Sequence, residues 1–189
     1  IKPAEDAVLN YRMIGFSVPA QKAAKTYVFE ISNSPSADVA VFERGIIIKT
    51  ESGTNMSVIT VPQFDTKYGW RVTCKDKTGK VLNKSKIYLF ATGTCDYLNP
   101  ERYKLDVYNR SEEHKDLLVI LDHSSIMYNM AGEPVWFLPE VPGVFQRDKR
   151  TRDLKPTADG TFTVLNDFGA FEFDYDGNVL WKAPDNGKV

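Results

Sequence analysis

One pattern occurs twice in this chain: residues 118–136 read LVILDHSSIMYNMAGEPVW, and residues 163–181 read TVLNDFGAFEFDYDGNVLW. In each copy two apolar runs precede a turn glycine, and a tryptophan ends the stretch. Gly132 and Gly177 are 45 residues apart, and the two final tryptophans have the same separation. A period of about 40 to 50 residues with these landmarks is typical of β-propeller blades. Because a closed propeller has about 4 to 8 blades, the pattern predicts two blade-like antiparallel sheets of an incomplete propeller.

Turn residues on either side of the two copies place the repeats at 103–138 and 152–183. The apolar segments between these turns predict the strands of both repeats, which are Tyr103–Tyr108, Leu117–Asp122, Ser125–Met130, Glu133–Leu138, Arg152–Lys155, Thr161–Asn166, Gly169–Tyr175 and Val179–Lys182. The segment between the repeats contains Pro142-Gly143 and is expected to be a connection.

The first half of the chain alternates short apolar runs with turn residues and has no helical period longer than two turns. It predicts strands at Arg12–Val18, Thr26–Ser32, Ala40–Lys49, Met56–Val61, Tyr68–Lys75 and Lys86–Thr92. Residues 1–8 are expected to be a lead-in. Because the turn chemistry changes between Gly93 and Pro100, we expect a β-sandwich over 1–93 and the start of a propeller over 94–189. The predicted fold class is all-β.

Tyr68 begins a stretch in which apolar residues alternate with polar or small ones, which predicts one buried and one wet face. It follows a corner at 65–67, where β-sandwich domains place a tyrosine whose hydroxyl binds upstream backbone. The stretch resembles the end of a fibronectin type III domain through Tyr68, Trp70, Val72, Gly79, Phe90 and Thr92. This resemblance implies a structural or adhesive role for the first half.

Composition excludes several classes of protein. The 189 residues are 42% hydrophobic and 26% charged with a formal net charge of −1, which argues against a nucleic-acid partner. No apolar run approaches the roughly 18 residues of a transmembrane segment. The sequence starts at Ile1 without a recognisable secretory signal, so we expect that a leader has been removed and that the protein is periplasmic or at the cell surface.

Two longer segments carry a further resemblance: LLVILDHSSIMYNMAGEPVWFLP, starting at Leu117, and LKPTADGTFTVLNDFGAFEFDYDGNVLWKAP, starting at Leu154. They are similar to the opening of the arylsulfate sulfotransferase family. That resemblance implies an N-terminal β-sandwich before a six-bladed propeller. It also implies sulfuryl transfer from an aryl sulfate to a phenol through a histidine in later blades. Since the sequence ends at Val189, before those positions, we expect no catalytic residue, cofactor site or metal site and an inactive chain. The alternative is a non-enzymatic periplasmic or cell-surface binding module.

The two histidines are weak candidates for a nucleophile. His123 follows Asp122, but consecutive strand residues point to opposite faces, so adjacency does not let the carboxylate orient the imidazole. We expect a surface turn residue there. His114 lies in a polar segment and is expected to be solvated.

Two loops could bind ions. Asp174-Tyr175-Asp176-Gly177-Asn178 places oxygen ligands at alternate positions, as half of a calcium loop does, but Ala183 stands where the bidentate glutamate belongs. Asp-Gly between apolar strands favours a hairpin turn. The basic run Arg147–Arg152 could hold an anion, although its interspersed acids favour a solvated connection.

Cys74 and Cys95 are predicted to be free thiols. In the expected hairpin Cys74 faces a residue near Lys86, so Cys95 lies outside the roughly 7 Å that a disulfide spans.

An incomplete propeller leaves blade faces open. We expect Val164, Phe171, Phe173 and Trp181 to be poorly covered if nothing follows the second repeat. The expected partners are therefore the missing propeller blades or a second copy of the chain, which would self-associate through the exposed faces.

Overall fold

The computed structural model describes residues 1–95, 98–99, 104–146 and 151–184. The chain divides into two compact units, Ile1–Thr94 and Cys95–Val189. Both units are built almost entirely of antiparallel strands, which confirms the all-β prediction.

The first unit contains eight strands and one short helix among its described residues. In chain order these are β1 Ala7–Leu9, β2 Met13–Ser17, β3 Thr26–Ser32, α1 Val39–Arg44, β4 Ile46–Ser52, β5 Met56–Thr60, β6 Thr66–Lys75, β7 Val81–Lys84 and β8 Tyr88–Thr92. The larger sheet has the order β1-β8-β6-β3-β4, with β7 pairing on β6, and the smaller sheet pairs β2 with β5.

The two sheets of this unit form a β-sandwich around an aromatic core. Phe16 of the small sheet contacts Trp70 and Phe90 of the large sheet, at ring-centroid distances of 5.2 and 5.8 Å. All three side chains are buried. Alternate side chains of β2 and β6 therefore face this core.

The prediction of a wet face on β6 is wrong, because Gly69, Arg71 and Thr73 on its other face are buried as well. The Phe42 ring of α1 lies against Gly69 and Arg71.

The predicted tyrosine corner is present. The Tyr68 hydroxyl donates to the Gln63 carbonyl oxygen at 3.2 Å and accepts from the Gln63 backbone N–H at 3.1 Å. Burial raises the pKa of Tyr68, so the neutral phenol that makes both bonds is the favoured form.

The predicted strand Ala40–Lys49 is wrong in its first half, where α1 forms instead. Asp38 caps this helix, because its Oδ1 accepts from the backbone N–H of Val41 at 3.0 Å. The helix ends at Gly45, and β4 begins at the next residue. An N-cap aspartate and a C-terminal glycine were signals for this helix, but the apolar run that follows masks them.

Two strands were not predicted. The expected lead-in contains β1, which pairs in parallel with β8, and β7 pairs with the end of β6. Because the turn before β7 is tight, Cys74 pairs with Asn83 instead of a residue near Lys86. Cys74 is buried, Cys95 is half-buried and the two are not joined by a disulfide, as predicted.

Among its described residues the second unit contains two antiparallel sheets. The first has the order β11-β10-β9, built from β9 Leu118–Leu121, β10 Ile126–Asn129 and β11 Pro134–Phe137. The second has the order β12-β13-β14-β15, built from β12 Thr151–Pro156, β13 Phe162–Asn166, β14 Gly169–Phe173 and β15 Val179–Lys182. Each of these strands lies where the sequence predicts one. The predicted strand Tyr103–Tyr108 is wrong in its described part, since residues 104–108 form no strand.

Both repeats close their last hairpin with the same kind of turn. Gly132 and Gly177 have positive φ angles of 79° and 87°, a conformation that glycine adopts without strain. A Cβ at Gly132 would collide with the Leu105 carbonyl oxygen, and one at Gly177 would collide with the Pro139 ring. In each repeat the segment that enters the sheet therefore packs against the turn glycine.

Candidate functional site

The two sheets of the second unit stack through Trp136 on β11. Its fully buried indole lies against the Phe162 ring of β13, with centroids 4.8 Å apart and planes 25° from parallel. The indole Nε1 donates to the Tyr175 carbonyl oxygen at 2.8 Å. The centroid of the Tyr175 ring lies 6.0 Å from those of both rings. Burial raises the pKa of Tyr175 to about 12.

A carboxylate also joins the two sheets. Asp122, in the turn after β9, accepts from the backbone N–H groups of Asp153 and Leu154 at 3.0 and 3.2 Å. Its own carbonyl oxygen accepts from the Thr151 hydroxyl at 3.0 Å. Asp122 therefore holds the start of the second sheet and does not orient His123. Sequence reasoning missed this role, because the groups that donate to Asp122 lie about 30 residues away.

The hairpins that carry the tryptophans match residue for residue. Met127 pairs with Trp136, Glu172 pairs with Trp181, and both hairpins shift register at the next residue. The preceding hairpins differ, because four residues separate β9 from β10 and two separate β13 from β14. The two loops differ in length by an even number of residues, so side chains at equivalent strand positions still point to the same face of each sheet. Trp136 and Trp181 therefore occupy equivalent positions on equivalent faces.

The face that carries the tryptophan is buried on the first sheet and partly exposed on the second. On the first sheet Met127 and Trp136 are 5% and 0% exposed, and Trp136 stacks on Phe162 of the second sheet. On the second sheet Trp181 is 51% exposed and Leu165 is 45% exposed. Glu172 pairs with Trp181 on β15 and with Thr163 on β13. It is half-buried and accepts from the Thr161 hydroxyl at 2.7 Å. We call Leu165, Glu172 and Trp181 the outer face.

The prediction that four side chains lack cover is wrong for three of them. Val164, Phe171 and Phe173 are 3%, 1% and 0% exposed. By strand alternation and register they share a face with Phe162, which packs on the first sheet. The prediction treated both faces of the second sheet as open, whereas only the face with Trp181 is exposed.

The other ion-binding and nucleophile candidates occupy ordinary turns. Asp174 Oδ1 accepts from the N–H groups of Asp176 and Asn178 at 3.0 and 2.8 Å. Asn129, 45 residues earlier, makes the same two bonds in its own turn, so the Asp174 segment forms a hairpin turn. His123 is exposed in the turn after β9, and His114 is exposed in a short 3₁₀ turn.

The basic run Arg147–Arg152 lies partly outside the described residues, at 147–150. Arg152 is exposed on β12.

The first unit has a surface cleft of ≈ 440 Å³ with Arg71, Lys84 and Lys86 in its wall. Arg71 is buried over the Phe42 ring and donates to Glu30 at 2.7 Å and to Glu43 at 2.8 Å. Lys84 and Lys86 are paired with Glu43 and Glu5. These cations are neutralised by their own carboxylates, so the cleft does not attract an anion strongly.

The ion pairs of Arg71 shift the titration of its partners. Burial raises the pKa of Glu30, but hydrogen bonds from Arg71 and Lys49 outweigh it, so that this pKa lies below its usual range. The hydrogen bond from Arg71 likewise lowers the pKa of Glu43. Both glutamates are therefore charged at neutral pH. Through their ion pairs with Arg71 on β6, Glu43 anchors α1 and Glu30 anchors β3.

Metal binding and membrane insertion both depend on how side chains and helices are arranged in the described ranges. There, His, Cys, Asp and Glu side chains form no group of three that could hold a metal ion. Within the part of the chain that the structure describes, no helix has the length and apolar character to span a membrane.

Comparison with protein-family models, with curated proteins and with solved structures found no match to this chain. The candidate site therefore rests on the geometry of the repeat. It is the outer face of the second sheet.

Proposed function

We propose that this chain is a non-catalytic interaction module whose second sheet binds a protein surface through the outer face. The observation that supports the proposal is the difference between two equivalent tryptophans. Trp136 is fully buried by a neighbouring sheet, whereas Trp181 is 51% exposed on a face with the same strand register. Contiguous exposed apolar side chains of this kind mark interaction sites in soluble proteins.

Trp181 lies on the edge strand β15, where two further apolar side chains are exposed. Val179 and Leu180 on β15 are 38% and 55% exposed, beside Trp181. Large aromatic side chains contribute most to protein interfaces, because they bury a large area with few rotatable bonds. Trp181 is therefore expected to be the residue that contributes most to binding on this face.

Site-specific photo-crosslinking in the native host tests this function. A benzophenone side chain at Leu165 is expected to give discrete protein adducts. The same group at Val58, which is 70% exposed in the first unit, serves as the control for general exposure. Trp181→Ala should abolish the Leu165 adducts and leave any Val58 adducts unchanged. Equal adduct patterns at both positions would contradict a specific surface.

A narrower candidate is that the chain forms the opening part of an arylsulfate sulfotransferase-like protein. The order of a β-sandwich followed by stacked antiparallel sheets favours it, because the sequence resemblance implies that order. On this proposal further propeller blades cover Trp181, carry the histidine nucleophile and locate the protein in the periplasm or at the cell surface.

An enzyme assay tests whether this chain by itself transfers a sulfuryl group. Incubation with 4-nitrophenyl sulfate and a phenol should release no nitrophenol above the buffer rate. Release that depends on the protein would show that the described sheets already contain catalytic groups. Cell fractionation tests the location, and a cytoplasmic protein would argue against the candidate.

A further inference from the structure

The interface inside the second unit shows what the outer face can bind. Two of the contacts that hold Trp136 are a ring stack on Phe162 and a hydrogen bond from Nε1 to the Tyr175 carbonyl oxygen. The hairpin of Trp181 has the same register, including the shift beside the tryptophan. A sheet that approaches Trp181 as the second sheet approaches Trp136 would meet the same indole geometry.

One position differs in a way that selects the partner. Met127, beside Trp136, is apolar and buried, but the equivalent residue beside Trp181 is Glu172. Thr161 donates to Glu172 Oε1, and within the described residues no hydrogen bond reaches Oε2. Covering this carboxylate with an apolar surface would leave a charge unpaired, which is strongly unfavourable.

We propose that the outer face binds a further antiparallel β-sheet that sets an aromatic ring against Trp181, a backbone carbonyl opposite its Nε1 and a basic side chain opposite Glu172. This inference rests on the proposed function and names the partner's chemistry. An arginine or lysine would neutralise Glu172 and donate to Oε2. The indole would recover both of these contacts of Trp136.

A second copy of the chain fits this face poorly. The surface that covers Trp136 belongs to the second sheet, and in each copy it is already buried against the first sheet, as Phe162 and Phe173 show. A symmetric contact centred on Trp181 would bring two Glu172 carboxylates together, and like charges repel. The occupant is therefore a separate sheet with a basic residue, and self-association is the contrary outcome.

An extended chain provides a defined probe. A duplicate of residues 140–184 is appended to the whole protein, with phenylalanine replacing the tryptophan of the duplicate. The duplicate presents the apolar face that covers Trp136. Acrylamide quenching then reports cover at Trp181, because Trp70 and Trp136 are fully buried.

The expected result depends on Glu172. With Glu172→Met, which restores the residue type of the first interface, the extended chain should lose the quenchable component of Trp181. With the native Glu172 the duplicate should cover Trp181 much less. A lysine placed in the duplicate, at a surface position that faces the native Glu172, should again protect Trp181 from quenching.

Three results would overturn the inference. A quenchable Trp181 in the extended Glu172→Met chain would show that the face does not accept a sheet in this way. Equal cover of Trp181 in the extended chains with and without Glu172→Met would remove the requirement for a basic partner. A dimer of the unextended chain that buries Trp181, seen by light scattering with quenching, would assign the face to self-association. Specific adducts at Leu165 would still support the proposed function in the first two cases.

Discussion

Replacing each repeat tryptophan by alanine compares two equivalent positions with different cover. Trp136→Ala removes a fully buried indole, and substitutions of this type cost about 3–5 kcal/mol in the free energy of unfolding. Trp181→Ala removes an indole that is 51% exposed. Each variant carries one Trp→Ala substitution at an equivalent position of its sheet, so each serves as the control for the other.

The size of the difference follows from buried area. An aromatic side chain buries about 150–250 Å² when fully covered, so Trp181 lacks about half of that. At about 25 cal/mol per Å² the missing burial corresponds to about 2–3 kcal/mol. The hydrogen bond from Trp136 to Tyr175 adds about 1 kcal/mol. Trp136→Ala should therefore destabilise the second unit by at least about 2 kcal/mol more than Trp181→Ala.

Urea unfolding of the whole chain, followed by far-ultraviolet circular dichroism, measures both effects. Because the chain has two compact units, the curve is fitted with two transitions. Both substitutions should move the same transition and leave the other in place. Equal costs, within about 0.5 kcal/mol, would refute the reasoning, since fitted values of this kind carry an uncertainty of about 10–15% or more. Such a result would mean that the two tryptophans have similar surroundings in solution.

Three further predictions address other parts of the molecule. Because the pKa of Glu30 is lowered when the protein is folded, its stabilising effect is present above its unfolded pKa and is lost as pH falls through the folded value. Arg71→Met should reduce or reverse this acid sensitivity of the free energy of unfolding, measured from about pH 6 to about pH 3. An unchanged pH profile would contradict the pairing of Arg71 with Glu30. Cys95 should react quickly with a disulfide reagent. Burial raises the pKa of Cys74, which should react only when the protein unfolds. Fast reaction of both thiols in the folded protein would refute this prediction. Burial raises the pKa of Tyr175 to about 12, so its contribution to stability is lost as pH rises from about 10 towards 12. Tyr175→Phe should remove one alkaline step from the tyrosinate absorbance at about 295 nm, and an unchanged titration would contradict the assignment.

Local chemistry was sufficient to predict most of the strands. Thr26–Ser32 and Val179–Lys182 have the observed bounds, because each is an apolar run with clear turn residues at both ends. The Tyr68 corner was also predictable, since one hydroxyl and a neighbouring turn define it. These features depend on contacts within a few residues of sequence.

Features that depend on distant contacts were missed. The strand β1 has three residues and is fixed by parallel pairing with β8, about 80 residues later. The role of Asp122 required knowing where β12 begins in space. The helix α1 was missed for a different reason, because Val39, Val41 and Phe42 have side chains that favour strands and a single capping aspartate reverses that preference.

The repeat itself showed only part of the candidate site. A constant separation of 45 residues predicted equivalent sheets, and the register of the tryptophan hairpins is the same in both. The sequence did not show which face of the second sheet is covered. That depends on the stacking of Phe162 on Trp136, and it changes the predicted interaction surface from four residues to a face around Trp181.

Hydrogen exchange at the three indole nitrogens tests the account most directly. In nitrogen-15 spectra the signals are assigned by their loss in Trp136→Phe and Trp181→Phe. After transfer to heavy water, the Trp136 signal should persist because its N–H is buried and bonded to Tyr175, and the Trp181 signal should vanish at once. Persistence of both signals, or rapid loss of both, would contradict the claim that one tryptophan is sealed between sheets while its counterpart lies open.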